Sequence, residues 1–252
     1  MRRPIIAGNW KLNKTIDQAL DFVVELQSLV DGTGDVEVVV APAFTALSAV
    51  ANALNNSSIG VSAQDLYWEN SGAFTGEISA EMIVDSGCSY VIVGHSERRQ
   101  FFGETNQSVN QKVKAALEGG LVPIVCVGEM LEDRESGKTK KVVTNQLVDG
   151  IDGLSKTDIL RIIIAYEPVW AIGTGKTASP DQAQEVHSLI RSVIATSYSD
   201  QIAESVRIQY GGSVNPSNAA ELLSKPDVDG ALVGGASLDA DSFAEIVRAS
   251  HQ

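Results

Sequence analysis

Basic residues are in short supply in this chain. Its 252 residues hold 19 Lys and Arg against 32 Asp and Glu, a formal net charge of −13 with histidine neutral. Polyanion binding needs a basic face, so a general DNA- or RNA-binding role is excluded. The same shortage sets a problem for any anionic substrate, whose attraction must then come from a local feature and not from the field of the whole protein. Cysteine is scarcer still. Cys88 and Cys126 cannot build a disulfide framework in a chain this long, and their spacing fits no metal motif. A reducing, cytoplasmic compartment is the natural expectation. Long apolar runs are missing too. The stretch after Arg2 and Arg3 stops being apolar at Asn9, too short for a signal-peptide core, and no 18-residue apolar run is available to span a membrane. The expectation is a soluble protein that is not exported and has no membrane partner.

What is present is a repeating pattern. With 44% hydrophobic and 20% charged residues, the chain can bury a sizeable core. Short runs rich in Val and Ile recur at Pro4–Gly8, Val36–Ala41, Ile59–Ala63, Tyr90–Val93, Leu121–Val127, Ile162–Tyr166, Val206–Tyr210 and Gly230–Val233. Continuous apolar runs of this length read as parallel strands buried on both faces. Helical patterns lie between them. Thr15-Ile16-Asp17-Gln18 and Ser179-Pro180-Asp181-Gln182 are capping boxes, and Asn215-Pro216 opens a later helix in the same way. Ile16, Leu20, Val23 and Val30 should share one helical face, and so should Val186, Leu189, Ile190, Val193 and Ile194. Gly32, Gly87 and Gly119-Gly120 stand where helices should end.

Eight strands and about eight helical segments divide 252 residues into units of about 31, the size of a βα repeat. No linker or shift of composition splits the chain, so residues 1–252 read as one α/β domain. A doubly wound nucleotide fold would place G-x-G-x-x-G after its first strand. Here that strand runs into Asn9-Trp10-Lys11, which favours a closed (β/α)₈ barrel, with its chemistry at the C-terminal ends of the strands.

Those ends carry unusual residues. Asn9 and Lys11 follow the first strand and, two apart in extended chain, should point the same way. The lysine either snorkels to solvent or supplies a cation for an anionic ligand. Gly94-His95-Ser96-Glu97 follows the fourth strand. His95 is either a satisfied core residue or an imidazole kept neutral by the positive end of a helix opening at Ser96-Glu97. Glu167 ends the sixth strand, where a carboxylate is costly unless paired or used. Four segments are glycine-rich: Gly72–Gly76, Gly173–Gly175, Gly211-Gly212-Ser213 and Gly234-Gly235. Each could merely serve a turn, but the last two follow strands 7 and 8, where barrels commonly hold phosphate on backbone N–H groups. Together these residues specify a carboxylate base, a neutral imidazole, one cation and an amide-lined anion pocket. That set suits proton abstraction beside a carbonyl in a phosphorylated substrate.

The strings Gly8-Asn9-Trp10-Lys11, Gly94-His95-Ser96-Glu97-Arg98-Arg99, Ala165 through Lys176, Tyr210-Gly211-Gly212-Ser213 and Leu232-Val233-Gly234-Gly235-Ala236 resemble those of the triosephosphate isomerase family, over essentially the whole chain. The resemblance implies a TIM barrel that interconverts dihydroxyacetone phosphate and glyceraldehyde 3-phosphate through an enediol(ate), with no cofactor and no metal. It implies Glu167 as the base, His95 as the neutral electrophile, and Lys11 and Asn9 as oxyanion stabilisers, with Glu97 supporting them. The backbone of Gly173, Ser213, Gly234 and Gly235 would hold the phosphate. Residues 168–178 would form a closing lid, with Pro168 and Trp170 in one hinge, Lys176 in the other and Ile172 at the tip. Closure would press Ile172 and Leu232 on Glu167 and shield the intermediate from water, while Tyr210 and Ser213 would bond the closed lid. Phe74 and Thr75, in the third loop, would dock into a second subunit, implying a homodimer. Two departures from the family pattern are Leu12, where Met is frequent, and Asp65, which adds a charge near the expected interface. Cys126 reads as a packed core thiol, and His187 and His251 as structural or surface residues.

Other chemistries on this barrel fit less well. A Schiff-base aldolase needs a lysine inside the barrel, and only Lys11 lies next to a strand end. A metal-dependent epimerase needs several converging ligands, and the chain has three histidines, two of them poorly placed. A barrel that only binds phosphorylated ligands would not require the base.

Overall fold

A computed structural model describes residues 2–172 and 177–250 of the chain. Strand β1 (Ile5–Asn9) leads to helix α1 (Ile16–Leu29), β2 (Glu37–Ala41) to α2 (Leu47–Ala53), and β3 (Gly60–Ala63) to α3 (Ala80–Asp85). β4 (Tyr90–Val93) is followed by α4 (Ser96–Phe101) and α5 (Asn106–Glu118). β5 (Val122–Val127) precedes α6 (Leu131–Glu135), α7 (Thr139–Gly150) and α8 (Lys156–Ile159). β6 (Ile163–Tyr166) precedes α9 (Pro180–Ser197) and α10 (Asp200–Ala203). β7 (Arg207–Tyr210) leads to α11 (Pro216–Leu223), and β8 (Gly230–Val233) to α12 (Ala240–Ala249). All eight expected strands are present, each within a residue of its apolar run. Helices are more numerous than expected: twelve among the described residues. Fresh N-caps explain three of the four extra helices, because the side chains of Thr105, Ser155 and Ser199 each accept from a backbone N–H three residues on and start a new helix.

The strands pair in parallel, each with its sequence neighbours, and β1 closes on β8 with Ile5 opposite Gly230 and Gly8 opposite Val233. This is the (β/α)₈ barrel the repeat implied. Alternation along each strand splits the apolar residues into two cores. Ile5, Ala7, Val39, Ala41, Ile92, Ile124, Cys126, Ile163, Ala165 and Leu232 fill the interior, while Ile6, Val38, Val40, Val91, Val125 and Ile164 pack under the helices. Closure makes one strict demand. Gly230 has φ +149, and a Cβ there would sit 1.9 Å from the Ile5 carbonyl oxygen, so only glycine allows the last strand to meet the first.

The capping boxes at Thr15, Ser179 and Asn215 all form. The faces they launch need correction. α1 buries Ala19, Phe22, Val23 and Leu26, and Ile16 at its first position is exposed. α9 buries Ala183, Val186, His187, Ile190, Arg191 and Ile194, with Leu189 and Val193 at the margin. No helix among the described residues is long and apolar enough to cross a membrane.

Candidate active site

A cavity of about 340 Å³ opens at the C-terminal ends of the strands, lined by Asn9, Lys11, His95, Glu167, Ile172, Gly211–Asn215, Leu232 and Gly234–Ala236. Residues picked from five different strand ends thus face one space. Gly173 and Lys176, both named from the sequence, lie outside the described residues, as do Thr174 and Gly175. Among the residues lining the cavity, Lys11 is the only fixed cation. No group of three or more His, Cys, Asp or Glu among the described residues could hold a metal ion.

Asn9 and Lys11 come together by a route different from the one expected. β1 ends at Asn9, and Lys11 adopts φ 54, a left-handed conformation that costs a non-glycine residue about 1–2 kcal/mol. The strain is held by hydrogen bonds: the Lys11 N–H donates to Asn9 Oδ1 at 3.0 Å, and Gln64 Nε2 donates to the Lys11 and Ala41 carbonyls, both at 2.9 Å. Trp10 between them is fully buried and meets the Phe22 ring edge-on at 4.9 Å. The lysine stem passes Gly234, and its ammonium pairs with Glu97 at 2.6 Å.

His95 is the N-cap of α4, and the Glu97 backbone N–H donates to its Nδ1 at 3.2 Å. A ring nitrogen that accepts carries no proton, so the single ring hydrogen sits on Nε2. That nitrogen lies 3.0 Å from Glu167 Oε1. Glu167 is 1% exposed, and Ser96 donates to its carboxylate twice: the backbone N–H to Oε2 at 2.9 Å and the hydroxyl to Oε1 at 3.1 Å. The start of α4 therefore holds both groups by donating, to His95 from the Glu97 N–H and to Glu167 from Ser96.

At the opposite end of the cavity the chain turns after β7 and β8. The Gly211 N–H is used by the Tyr166 carbonyl at 2.7 Å, but among the described residues the N–H groups of Ser213, Gly234 and Gly235 donate to no protein acceptor. A short 3₁₀ turn, Gly235–Leu238, begins there and aims its free end at the cavity. These amides, with Lys11, can attract an anion in an acidic protein.

Glu129 escaped the sequence reading. It is fully buried two residues past β5 and accepts from Tyr166 Oη at 3.1 Å and Trp170 Nε1 at 3.0 Å, while its carbonyl accepts from Val169 N–H at 3.1 Å. Burial pushes its carboxyl up, against those hydrogen bonds and the nearby Arg134. The argument that singled out Glu167, a carboxylate at the end of an apolar strand, applies equally to it. Ser96 was read only as part of a helix start. Pro168 caps the 3₁₀ turn Val169–Ala171 and Trp170 lies at its centre, while the Tyr210 hydroxyl, near the Ala178 backbone N–H, has no hydrogen-bond partner among the described residues.

Phe74 and Thr75 are exposed on the third loop, where the Phe74 ring packs at a tilt against Tyr67 with centroids 4.7 Å apart. Asp65, expected as an added charge near the interface, is buried and paired with Lys112 Nζ at 2.6 Å and Arg98 Nε at 2.9 Å, both of which also bind Glu104. Burial pushes the Asp65 carboxyl up to about 6 against the pull of Lys112. Cys126 is fully buried and Cys88 nearly so; burial raises both thiols, the latter to about 12, which fits packed thiols and not nucleophiles. His187 is a buried structural residue.

The family model described as "Triosephosphate isomerase" matches residues 4–250. The chain is 60% identical over 250 residues to the triosephosphate isomerase of Citrifermentans bemidjiense, covering 99% of this chain and 100% of that one. It is 59% identical over 248 residues to that of Geobacter metallireducens (98% and 99% covered) and 58% identical over 248 residues to that of Moorella thermoacetica (98% and 99% covered).

Proposed function

The chain belongs to the triosephosphate isomerase family and is an isomerase of a phosphorylated triose, and we propose that it works through Glu167, His95, Lys11 and Asn9. In this reading Glu167 removes a proton from the carbon beside the carbonyl of dihydroxyacetone phosphate. His95 donates from Nε2 to the oxygen that becomes negative and takes a proton back from the hydroxyl on the adjacent carbon, and the protonated Glu167 returns its hydrogen to the former carbonyl carbon, giving glyceraldehyde 3-phosphate. Lys11 and Asn9 stabilise the enediolate oxygen, a charge present only along the reaction path, so their effect falls on the barrier. Glu97 holds the Lys11 ammonium and, through its N–H, the His95 tautomer.

One observation carries the reading. His95 Nε2, the ring nitrogen left free by the bond from the Glu97 N–H, lies 3.0 Å from Glu167 Oε1 in one cavity with the free amides after β7 and β8. A substrate carbonyl that bonds to Nε2 would draw His95 off Glu167, and the carboxylate would leave its two hydrogen bonds from Ser96 to reach the carbon acid. Ser213, Gly234, Gly235 and Gly173 would hold the phosphate, and residues 168–178 would close over it, with Ile172 and Leu232 on Glu167 and Tyr210 bonding Ala178. We read residues 1–252 as one domain working in the cytoplasm. The third loop, with exposed Phe74 and Thr75, and Leu12, which is 96% exposed, support a homodimer.

The test is isomerisation of glyceraldehyde 3-phosphate by purified protein with chelator present, wild type beside Glu167→Gln. The expected loss of kcat is roughly 10²–10⁴-fold, with an unchanged circular dichroism spectrum. Near-wild-type turnover in the variant would contradict the assignment.

A further inference from the structure

The backbone beneath Glu167 is held from a side the reaction does not use. Past the end of β5 the pairing with β6 continues: Glu167 N–H donates to the Val127 carbonyl at 2.8 Å and Val169 N–H to that of Glu129 at 3.1 Å. In a parallel ladder alternate residues face opposite neighbours, so Gly128, between those two, turns its N–H and C=O away from β6. On that side β4 has already ended, its last partner pair being Val93 and Val125. Side chains take the place of the missing strand. Arg99 Nη2 donates to the Cys126 carbonyl at 3.3 Å. For Gly128, the Gln146 carboxamide from α7 does both tasks: Oε1 accepts from the Gly128 N–H at 2.7 Å, and Nε2 donates to its carbonyl at 3.0 Å.

Gly128 in turn lies directly against the base. A Cβ there would fall 1.7 Å from the Glu167 carbonyl oxygen, so the two backbones touch with no side chain between them. Packing alone does not hold that contact, because a cavity of about 270 Å³ lies behind it, lined by Ser96, Arg99, Gly128, Gln146 and Glu167 among others. A Gly128 peptide without its two hydrogen bonds has room to tilt, and Glu167 would follow.

We propose that Gln146 is a positioning residue for the isomerisation: its carboxamide completes the edge of β5 and so holds the Glu167 backbone where the carboxylate reaches both Ser96 and the substrate cavity. The inference rests on Glu167 being the base. It concerns the reacting end of the cavity alone, since the free amides after β7 and β8 belong to other strands.

Gln146→Met keeps the length of the side chain and removes both hydrogen bonds. The expected result is a fall in kcat of roughly 10- to 100-fold, the scale of a base displaced by a fraction of an ångström to one ångström, with KM within about twofold of wild type. Wild-type kcat, or a rise in KM alone, overturns the proposal. Gln146→Glu adds a signature in pH. A neutral carboxyl offers one donor and one acceptor as the amide does, whereas the carboxylate only accepts and faces the Gly128 carbonyl unpaired. The ratio of variant to wild-type kcat should therefore rise as pH falls; a ratio flat with pH, as a purely structural role would give, overturns the proposal. If both variants are recovered only unfolded, Gln146 is a folding determinant and the proposal fails. Glu167→Gln run in parallel separates the two readings: full turnover there removes the base assignment itself, while an inactive Glu167→Gln beside an unimpaired Gln146→Met removes only the role of Gln146.

Discussion

His95 shows how little freedom a single side chain has at this site. One ring nitrogen is occupied by the Glu97 N–H, so the other carries the proton, and it lies 3.0 Å from Glu167 Oε1. Two other buried residues respond to pH in opposite senses. Burial pushes His187 down to about 4 from 6.5, so the unfolded chain holds its proton more tightly; the stability it contributes is complete above pH 6.5 and is lost as pH falls toward 4. Asp65 is raised to about 6 from 3.8, so its contribution is present below 3.8 and is lost as pH rises through 6. Asp65→Asn should therefore be more stable than wild type at pH 8, by at most about 3 kcal/mol, with the advantage vanishing near pH 4. Thermal unfolding across that range measures it, and a variant less stable at pH 8 would show that the pairs to Lys112 and Arg98 outweigh burial. Single residues were readable from the sequence where chemistry made them expensive, as with Glu167 and Lys11. Ser96 and Gln146 were not, because a serine at a helix start and a glutamine on a helix are ordinary until the chain brings them beside the base.

At the scale of elements, the strands were legible and the helices less so. A strand buried on both faces in a parallel barrel must be a short apolar run, and such runs bound β1 to β8 within a residue of their observed ends. Helices announce themselves by caps as well as periodicity. Thr105, Ser155 and Ser199 each start a helix too short or too polar for periodicity alone to mark. The segment after β6 has an end that can be tested at Ala178. The Tyr210 hydroxyl is buried without a hydrogen bond, a state that costs stability unless another conformation repays it. Tyr210→Phe should leave the melting temperature unchanged or raised while lowering kcat/KM roughly fivefold, the worth of about one hydrogen bond made only on closure. A variant that melts lower yet turns over normally would mean that the hydroxyl serves the resting fold and not the lid.

For the molecule as a whole, an excess of acidic residues surrounds a site that binds an anion. The cavity meets that with Lys11 and with amides whose dipoles do not depend on net charge, so the exterior is free to be acidic and well solvated. Pairing of two copies was invisible in composition and rested on the resemblance of the third loop. Exposed Leu12, Phe74, Met82 and Phe102 are consistent with it. Phe74→Glu should yield a monomer by light scattering with kcat lowered roughly 10-fold or more; a fully active monomer would remove the dimer from the account. The central claim concerns Glu167, and the most direct measurement follows the hydrogen it moves. Dihydroxyacetone phosphate incubated with the enzyme in D₂O should gain deuterium at the hydroxymethyl carbon, read by proton NMR, and Glu167→Gln should show almost none on the same timescale. Deuterium appearing at the wild-type rate in that variant would contradict the assignment of the base.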